Sequence, residues 1–409
     1  MASRPPDGEV APTDGALPPS SYDEIGEHPF GIYVHVPFCR TRCGYCDFNT
    51  YTASELGSGA SAVGPASFAR LAVAELRLAR RILGSRELPV QTVFFGGGTP
   101  TLLAPADLEL ILAAVRDEFG LAPGAEVTAE ANPDSVDLES LGDLRAAGFT
   151  RISVGMQSAV PHVLATLERT HDPDRVAAAV GWAREAGFGG VSLDLIYGTP
   201  GESLTDWEHS LREAIALQPD HVSAYALVVE EGTRLAVAVR RGDLPAPDDD
   251  DLADKYLIAD ELLTTAGYGW YEVSNWARTP AQRCRHNVGY WRGDDWWGAG
   301  PGAHSHVGGT RWWNVRHPAA YASRLADGSS PAQAREVLTD EDRRIERLLL
   351  GIRLRDGHPL ADVRPAGLRA AERAVADGLL DRGAHGDGRA ALTLRGRLLA
   401  DAVVRDLVD

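Results

Sequence analysis

Three of the four cysteines in this 409-residue chain fall within eight positions, Cys39-Arg-Thr-Arg-Cys43-Gly-Tyr-Cys46. Thiolates are soft ligands that suit iron–sulfur clusters, zinc or Cu(I). Three on one tight loop can hold three corners of a metal centre. A structural zinc ion wants a fourth close ligand and a closed tetrahedron, which Cys284 or a histidine would have to supply. A [4Fe–4S] cluster on three cysteines instead leaves one iron open, where a small molecule can bind and react. A disulfide plus a spare thiol is the weakest reading. Nothing in the sequence suggests secretion, and cytosolic thiols stay reduced.

The segment before the cysteines favours the cluster. Gly31-Ile-Tyr-Val-His-Val36 is apolar and β-branched and is stopped by Pro37, which predicts a buried strand. The cysteines then sit just past a strand's C-terminal end, the edge where α/β proteins build active sites. Helices and strands alternate onward. Helices are predicted over 68–83, 105–119, 138–147, 160–187 (broken near His171-Asp-Pro173), 204–217 and 250–266. Strands are predicted over 89–95, 126–131, 151–156, 190–197 and 221–227. Six strands joined by helices imply parallel βαβ units. The fold class is therefore α/β, a partial (β/α)6 TIM-like barrel, with an open doubly wound sheet as the alternative. Residues 1–28 and 52–65 are rich in small residues and Pro, and read as a disordered tail and a flexible loop.

The predicted strand ends carry glycines or polar groups in turn: Gly96-Gly97-Gly98-Thr99-Pro100, Glu130-Ala-Asn132-Pro133, Gln157, then Asp194 and Tyr197-Gly198-Thr199-Pro200. A glycine triplet lets a ligand approach the backbone, and its N–H groups can meet an anion. A carboxylate on a buried strand is costly unless paired or ligand-bound. Taken singly, Glu130 and Asp194 are as well explained by structural hydrogen bonds. Together at one barrel mouth they make a site.

Apolar content of 44% and charged content of 24% are those of an ordinary soluble globular protein. No apolar run of 18 residues exists and the N-terminus has no apolar signal core, so neither a membrane span nor export is expected, and a cytoplasmic location is. A net charge of −18 argues against nucleic acid as a partner.

Cys-x3-Cys-x2-Cys after such a strand resembles the radical S-adenosylmethionine (SAM) superfamily. That resemblance implies a [4Fe–4S] cluster on Cys39, Cys43 and Cys46 whose open iron chelates SAM. Tyr33-Val-His-Val-Pro-Phe-Cys39, Gly96-Gly-Gly-Thr-Pro100, Glu130-Ala-Asn-Pro133, Gln157, Leu167-Glu-Arg-Thr-His171 and Asp194-Leu-Ile-Tyr-Gly198 are similar to the oxygen-independent coproporphyrinogen III oxidases and their relatives, from about residue 29 onward. By resemblance, Tyr33, Tyr45, Gly97, Gly98, Thr99, Glu130, Gln157, Arg169 and Asp194 would line the SAM site. Two features depart from the decarboxylating oxidases. Phe48 stands where they carry a fourth cysteine, and a Pro/Gly tail replaces their ordered N-terminal segment. Both match the HemW branch of haem chaperones. Whether the chain is an enzyme is left open. The resemblance adds an electron donor for the cluster and an unidentified haem-acceptor protein as partners. Oligomeric state is left open, a homo-oligomer among the options.

Seven of the nine tryptophans lie between Trp270 and Trp313. Within this stretch, His286-Asn-Val-Gly-Tyr290-Trp291 resembles a motif of the HemW branch. Haem wants aromatic walls, an axial ligand and arginines for its propionates. His286, Tyr290 and Trp291 are the haem candidates, with Arg283, Arg285, Arg292 and Arg311 as cations. Set against this, tryptophan clusters commonly form core, and His286 can be a hydrogen-bonded buried histidine. Cys284 is an ordinary thiol or a haem ligand. The expected organisation is a tail over 1–28, a barrel over 29–270, a Trp/His-rich extension over 271–330 and a mostly helical winged-helix-like domain over 331–409.

Overall fold

The computed structural model describes residues 8–56 and 63–408. Thirteen strands form one sheet. They are β1 (Glu9–Val10), β2 (Phe30–Val36), β3 (Val90–Gly97), β4 (Leu121–Ala131), β5 (Arg151–Gln157), β6 (Gly190–Tyr197), β7 (His221–Ala226), β8 (Gly269–Glu272), β9 (Asn275–Ala277), β10 (Asp295–Ala299), β11 (His304–Val307), β12 (Thr310–Asn314) and β13 (Ala332–Val337). The sheet order is β1-β13-β12-β11-β10-β2-β3-β4-β5-β6-β7-β9-β8. From β2 to β7 the strands are parallel and lie in chain order. Every crossover therefore advances in one direction. A doubly wound sheet would reverse at a switch point, so the partial-barrel reading stands and the alternative falls.

The two faces of this core differ in kind. Ile32, Val34, Val93, Phe95, Val127, Ala129, Ile152, Val154, Val191, Leu193 and Val222 join the main hydrophobic core. Strand alternation turns the intervening residues the other way. These include Tyr33, His35, Thr92, Glu126, Thr128, Glu130, Ser153, Ser192, Asp194 and Ser223, so the inner face is largely polar, with Phe94 an apolar exception.

The expected 271–330 extension is not a separate unit. β9 and β8 add antiparallel to the free edge of β7. β10 adds parallel to β2, and β11, β12 and β13 continue antiparallel. Most of its tryptophans are accordingly packing residues, with Trp276, Trp297, Trp312 and Trp313 buried. The expected disordered tail is also revised over residues 8–28. β1 pairs Glu9 with Arg335 and Val10 with Ala334, covering the sheet edge. A helix follows at Pro19–Glu24, and Ala11, Leu17 and Ile25 enter the core. Residues 1–7 lie outside the described residues, as do 57–62 of the expected loop, which opens with a helical turn at Ala53–Leu56.

The C-terminal unit starts near Asp340 rather than 331, because β13 belongs to the sheet. Helices at Asp340–Gly351, Pro365–Ala376, Arg382–Gly386, Leu394–Leu398 and Ala400–Val408 surround a two-stranded ladder of His358–Pro359 with Arg389–Ala390. Leu348, Ile352, Leu380, Val403 and Leu407 form its own core. It docks through Arg397, whose guanidinium reaches Asp260 at 2.8 and 3.1 Å and lies 4.3 Å over the Trp270 ring.

One buried carboxylate ties the added strands to the barrel. Glu75, in the Pro65–Leu83 helix, accepts hydrogen bonds from Gly300 N–H (2.8 Å), Asn314 Nδ2 (2.7 Å) and the Tyr321 hydroxyl (2.5 Å). Burial pushes its carboxyl up to about 7 despite these donors. Sequence periodicity hid it among the apolar residues of an amphipathic helix. Glu75→Leu removes the acceptor and strands three buried donors, each costing about 1–3 kcal/mol. Calorimetry is expected to show a thermal midpoint several degrees lower, and an unchanged midpoint would refute the anchoring role.

Candidate functional site

The cysteines lie on a loop closed at its base. Cys39 N–H donates to Tyr51 O (3.1 Å) and Tyr51 N–H to Pro37 O (2.7 Å). The Asn49 side chain donates to Pro301 O (3.0 Å) and Arg316 O (2.8 Å). A Cβ at Gly302 would stand 2.6 Å from Asn49 Nδ2, so the two segments touch at a glycine. Behind them, His35 Nε2 bonds Asn49 O (3.0 Å) and Tyr33 Oη bonds His35 Nδ1 (3.0 Å). On the far side Leu235 N–H donates to Gly44 O (2.9 Å), and Tyr45 packs with Val160, Leu167 and Leu235.

Cys39, Cys43 and Cys46 are free and partly buried. Burial, ahead of the neighbouring thiols, raises Cys39 and pushes Cys46 up to about 11. Among the described residues no three His, Cys, Asp or Glu side chains are gathered as ligands of a metal ion. A lone zinc with Zn–S bonds of about 2.3 Å would draw its sulfurs onto one point. A four-iron cubane needs no fourth protein ligand, which suits three cysteines carried on one loop. Cys284 is not a fourth ligand. It is buried beside Glu126, with Sγ 3.8 Å from Oε1, and its N–H bonds the Tyr271 hydroxyl.

The remaining rim residues arrive from successive strand ends. Gly97 has φ +106° and its N–H donates to Glu130 Oε2 (3.1 Å). Gly98 N–H donates to Val36 O and Thr99 N–H to Phe38 O, both at 2.8 Å. The Gly97 amide thus meets a carboxyl group of the protein itself, while those of Gly98 and Thr99 are taken by backbone carbonyls. The glycines serve close approach. A Cβ at Gly98 would sit 2.4 Å from Phe38 O and 2.9 Å from Val36 O, backbone atoms with no freedom to yield.

Asp194 accepts from Ser153 Oγ at 2.8 and 3.0 Å, and burial raises its carboxyl. Burial, then the charge of Asp194, pushes Glu130 up to about 8. After β6, Gly198 N–H donates to Glu202 Oε2 (2.7 Å), and the buried Lys255 Nζ bonds Glu202 O (3.0 Å), fixing that turn. Gln157 is held at φ +63°, uncommon for a residue with a side chain. Arg169 crosses from this strand end to the cysteines. Its Nη2 donates to Gly155 O (2.9 Å) and its Nη1 lies 3.6 Å from Cys43 Sγ, while its buried Nε has no partner. Two residues on, His171 is buried, and its ring makes no more than a loose approach to the Met156 backbone. Polar atoms so thinly partnered beside a glycine-lined rim mark a place built for a polar ligand. Asn49 and His171 were not singled out from sequence. Asn49 lies only three residues past Cys46, and its role depends on segments more than 250 residues away.

The haem candidates lie elsewhere. Helix Arg285–Arg292 is capped by Glu126, whose oxygens accept from Arg285 N–H and His286 N–H, both at 3.1 Å. His286 stacks on Phe94 with centroids 5.1 Å apart. Its Nδ1 bonds Thr92 Oγ1 and its Nε2 bonds Tyr290 Oη, both at 2.8 Å. It is buried and burial lowers it to about 3, so it packs neutral against the inner face of the barrel. Both ring nitrogens are thus engaged within the protein. Trp291 lies beside the buried Glu272. Beyond this helix, at the N-terminal end of β2 and β3, a cleft of about 250 Å³ is lined by Phe30, Gln91, Arg285, Tyr290, Arg292 and Trp296.

Residues 33–214 match the radical SAM superfamily. A Mycobacterium tuberculosis protein named heme chaperone HemW is 56% identical over 380 residues, 93% of this chain and 95% of its own. The Synechocystis protein of that name is 37% identical over 80% of this chain and 79% of its own. The Escherichia coli one is 38% identical over 68% and 70%. The solved structure of the radical SAM enzyme HemN, the E. coli coproporphyrinogen III oxidase, covers 95% of this chain and 92% of its own with a TM-score of 0.78 at 23% identity, a likeness of fold.

Gly98→Ala forces the turn away from Phe38 and with it Cys39. Iron content after anaerobic reconstitution is expected to fall by roughly half or more. Wild-type iron content in the variant would refute the close-approach role.

Proposed function

The chain belongs to the HemW family of radical SAM proteins, and we propose that it takes up haem and passes it to an acceptor protein, using a rim site that holds a [4Fe–4S] cluster and SAM. The observation that carries the site is the meeting, on one rim, of a clamped three-cysteine loop with Glu130, Gln157 and Asp194 from successive strands and Arg169 from the connection after β5. Cys39, Cys43 and Cys46 would hold the cluster. When bound, it supplies an open iron for the amino and carboxylate ends of SAM and one electron at a time.

The chain's own residues then divide the ligand between them. The turn at Gly97–Thr99 has its amides engaged, so it offers carbonyl oxygens, suited to an ammonium. Arg169, fixed at Gly155 and facing Cys43, can fork onto a carboxylate. Asp194 and Glu130 supply oxygens for ribose hydroxyls. Tyr33, Gln157 and Tyr45 wall the cavity. For haem, the support lies in the names of the relatives and in the aromatic strands β10–β12 beside the cysteine loop.

Porphyrinogen decarboxylation is less well supported. Phe48 is 52% exposed where the oxidases carry a cysteine, and helix Arg285–Arg292 packs against the inner face of the barrel. No helix among the described residues is long and apolar enough to cross a membrane. We place the protein in the cytoplasm, with an electron donor and a haem acceptor as partners.

Titration with ferric haem is expected to give a saturating Soret shift, and none would refute the chaperone reading. Asp194→Ala should weaken SAM binding by roughly tenfold or more, about 1.4 kcal/mol or above, with iron content unchanged. Equal affinity in calorimetry would remove Asp194 from the site. Under reductant and SAM, protoporphyrinogen is not expected to form from coproporphyrinogen III.

A further inference from the structure

The residue before Arg169 has a backbone that does not suit its side chain. Glu168 lies just past the C-terminal end of helix Pro161–Thr166 with φ +55°, a left-handed position that glycine commonly fills. The turn closes around it. Glu168 N–H donates to Ala165 O (3.0 Å) and Arg169 N–H to Leu164 O (2.9 Å). Glycine would make the same bonds without strain. A glutamate held there is explained by what its carboxylate touches.

That carboxylate lies against the cysteine loop. A Cβ at Gly44 would stand 2.8 Å from Glu168 Oε1, so the glycine between Cys43 and Tyr45 makes room for it. Its other oxygen pairs with Arg234 Nη2, and the same nitrogen donates to Arg42 O. One residue on, Leu235 N–H donates to Gly44 O (2.9 Å), and Leu235 packs with Tyr45 and Leu167. The first two residues of helix Arg234–Arg241 thus hold the loop on both sides of Cys43, and Arg234 also holds Glu168. Glu168 and Arg234 are exposed, where an ion pair adds little to stability. What the pair supplies is a fixed spacing between two segments.

We propose that Glu168 and Arg234 are positioning residues for Arg169. They lock its segment to the cysteine loop, so that the guanidinium stays in register with the iron corner left open by Cys39, Cys43 and Cys46. This rests on the reading of the rim as a cluster and SAM site, and haem has no part in it. The pair does not touch the ligand. It sets the distance between the two groups that receive the SAM carboxylate, Arg169 and the open iron. The nucleoside end, at Glu130 and Asp194, is left alone.

The test is calorimetric titration of the full-length, cluster-loaded protein with SAM and, separately, with 5′-methylthioadenosine, which has the nucleoside but no amino-acid end. Glu168→Gly, Glu168→Gln, Arg234→Ala and Arg234→Lys are compared with wild type. Both Glu168 variants and Arg234→Ala should bind SAM roughly fivefold or more weakly, and Arg234→Lys should recover part of the loss. All four should bind 5′-methylthioadenosine as wild type does. Glu168→Gly relieves the left-handed strain, so its thermal midpoint should equal or exceed that of wild type while its SAM affinity falls. A merely structural turn would not give that split. Wild-type SAM affinity in Glu168→Gly and Arg234→Ala, or an equal loss for both ligands, would overturn the positioning role while leaving the SAM site intact. No SAM binding by wild type would overturn the site itself.

Discussion

The site depends on how the cysteine loop is clamped. Three thiols on a 12-residue excursion between Phe38 and Tyr51 would lose their mutual geometry unless something outside the loop fixed it. The loop reaches that support through its own Asn49, which donates to two backbone carbonyls from the loops around β11 and β12. Those loops are fixed in turn by Glu75, a carboxylate buried in the first barrel helix with three donors around it. Buried donors left without their acceptor are costly, so these contacts hold together as a unit. It explains why strands added outside the barrel belong to the site. They are the brace for the cysteines.

The same economy governs the barrel interior. The outer face of β2–β7 is apolar and pays for the fold through burial against helices. The inner face carries Glu126, Glu130, Arg151, Asp194 and His221, each satisfied by a neighbour or kept for a ligand. Glu126 serves as the cap of helix Arg285–Arg292, and Thr92 as partner of His286. The polar interior is therefore divided. One end is closed by that helix, and the thinly partnered atoms of Arg169 and His171 cluster at the other, with the cysteines.

Much of this was legible in the sequence, because barrel elements are local. The helix at Pro105–Phe119 and the strand at Gly190–Tyr197 carry their limits in Pro, Gly and apolar periodicity. Strand ends with Gly96–Thr99, Glu130, Gln157 and Asp194 follow from the alternation alone. Long-range pairing was not legible. Glu9 and Val10 look like tail by composition and become a strand only by meeting Arg335 and Ala334. β10–β12 read as an aromatic extension because nothing local says which sheet edge they join. Glu75 looks like one polar residue in an amphipathic helix, and nothing local says that Thr92 and Tyr290 engage the two nitrogens of His286.

The central claim is that three clamped thiols hold a cluster whose fourth iron faces the Arg169–Asp194 rim. Paramagnetic resonance of the reconstituted, reduced protein, recorded with and without SAM, addresses it most directly. The account predicts a [4Fe–4S]+ signal whose g values move on adding SAM, with both signal and shift lost in Cys43→Ala. A signal indifferent to SAM, or one that survives that substitution unchanged, would contradict it.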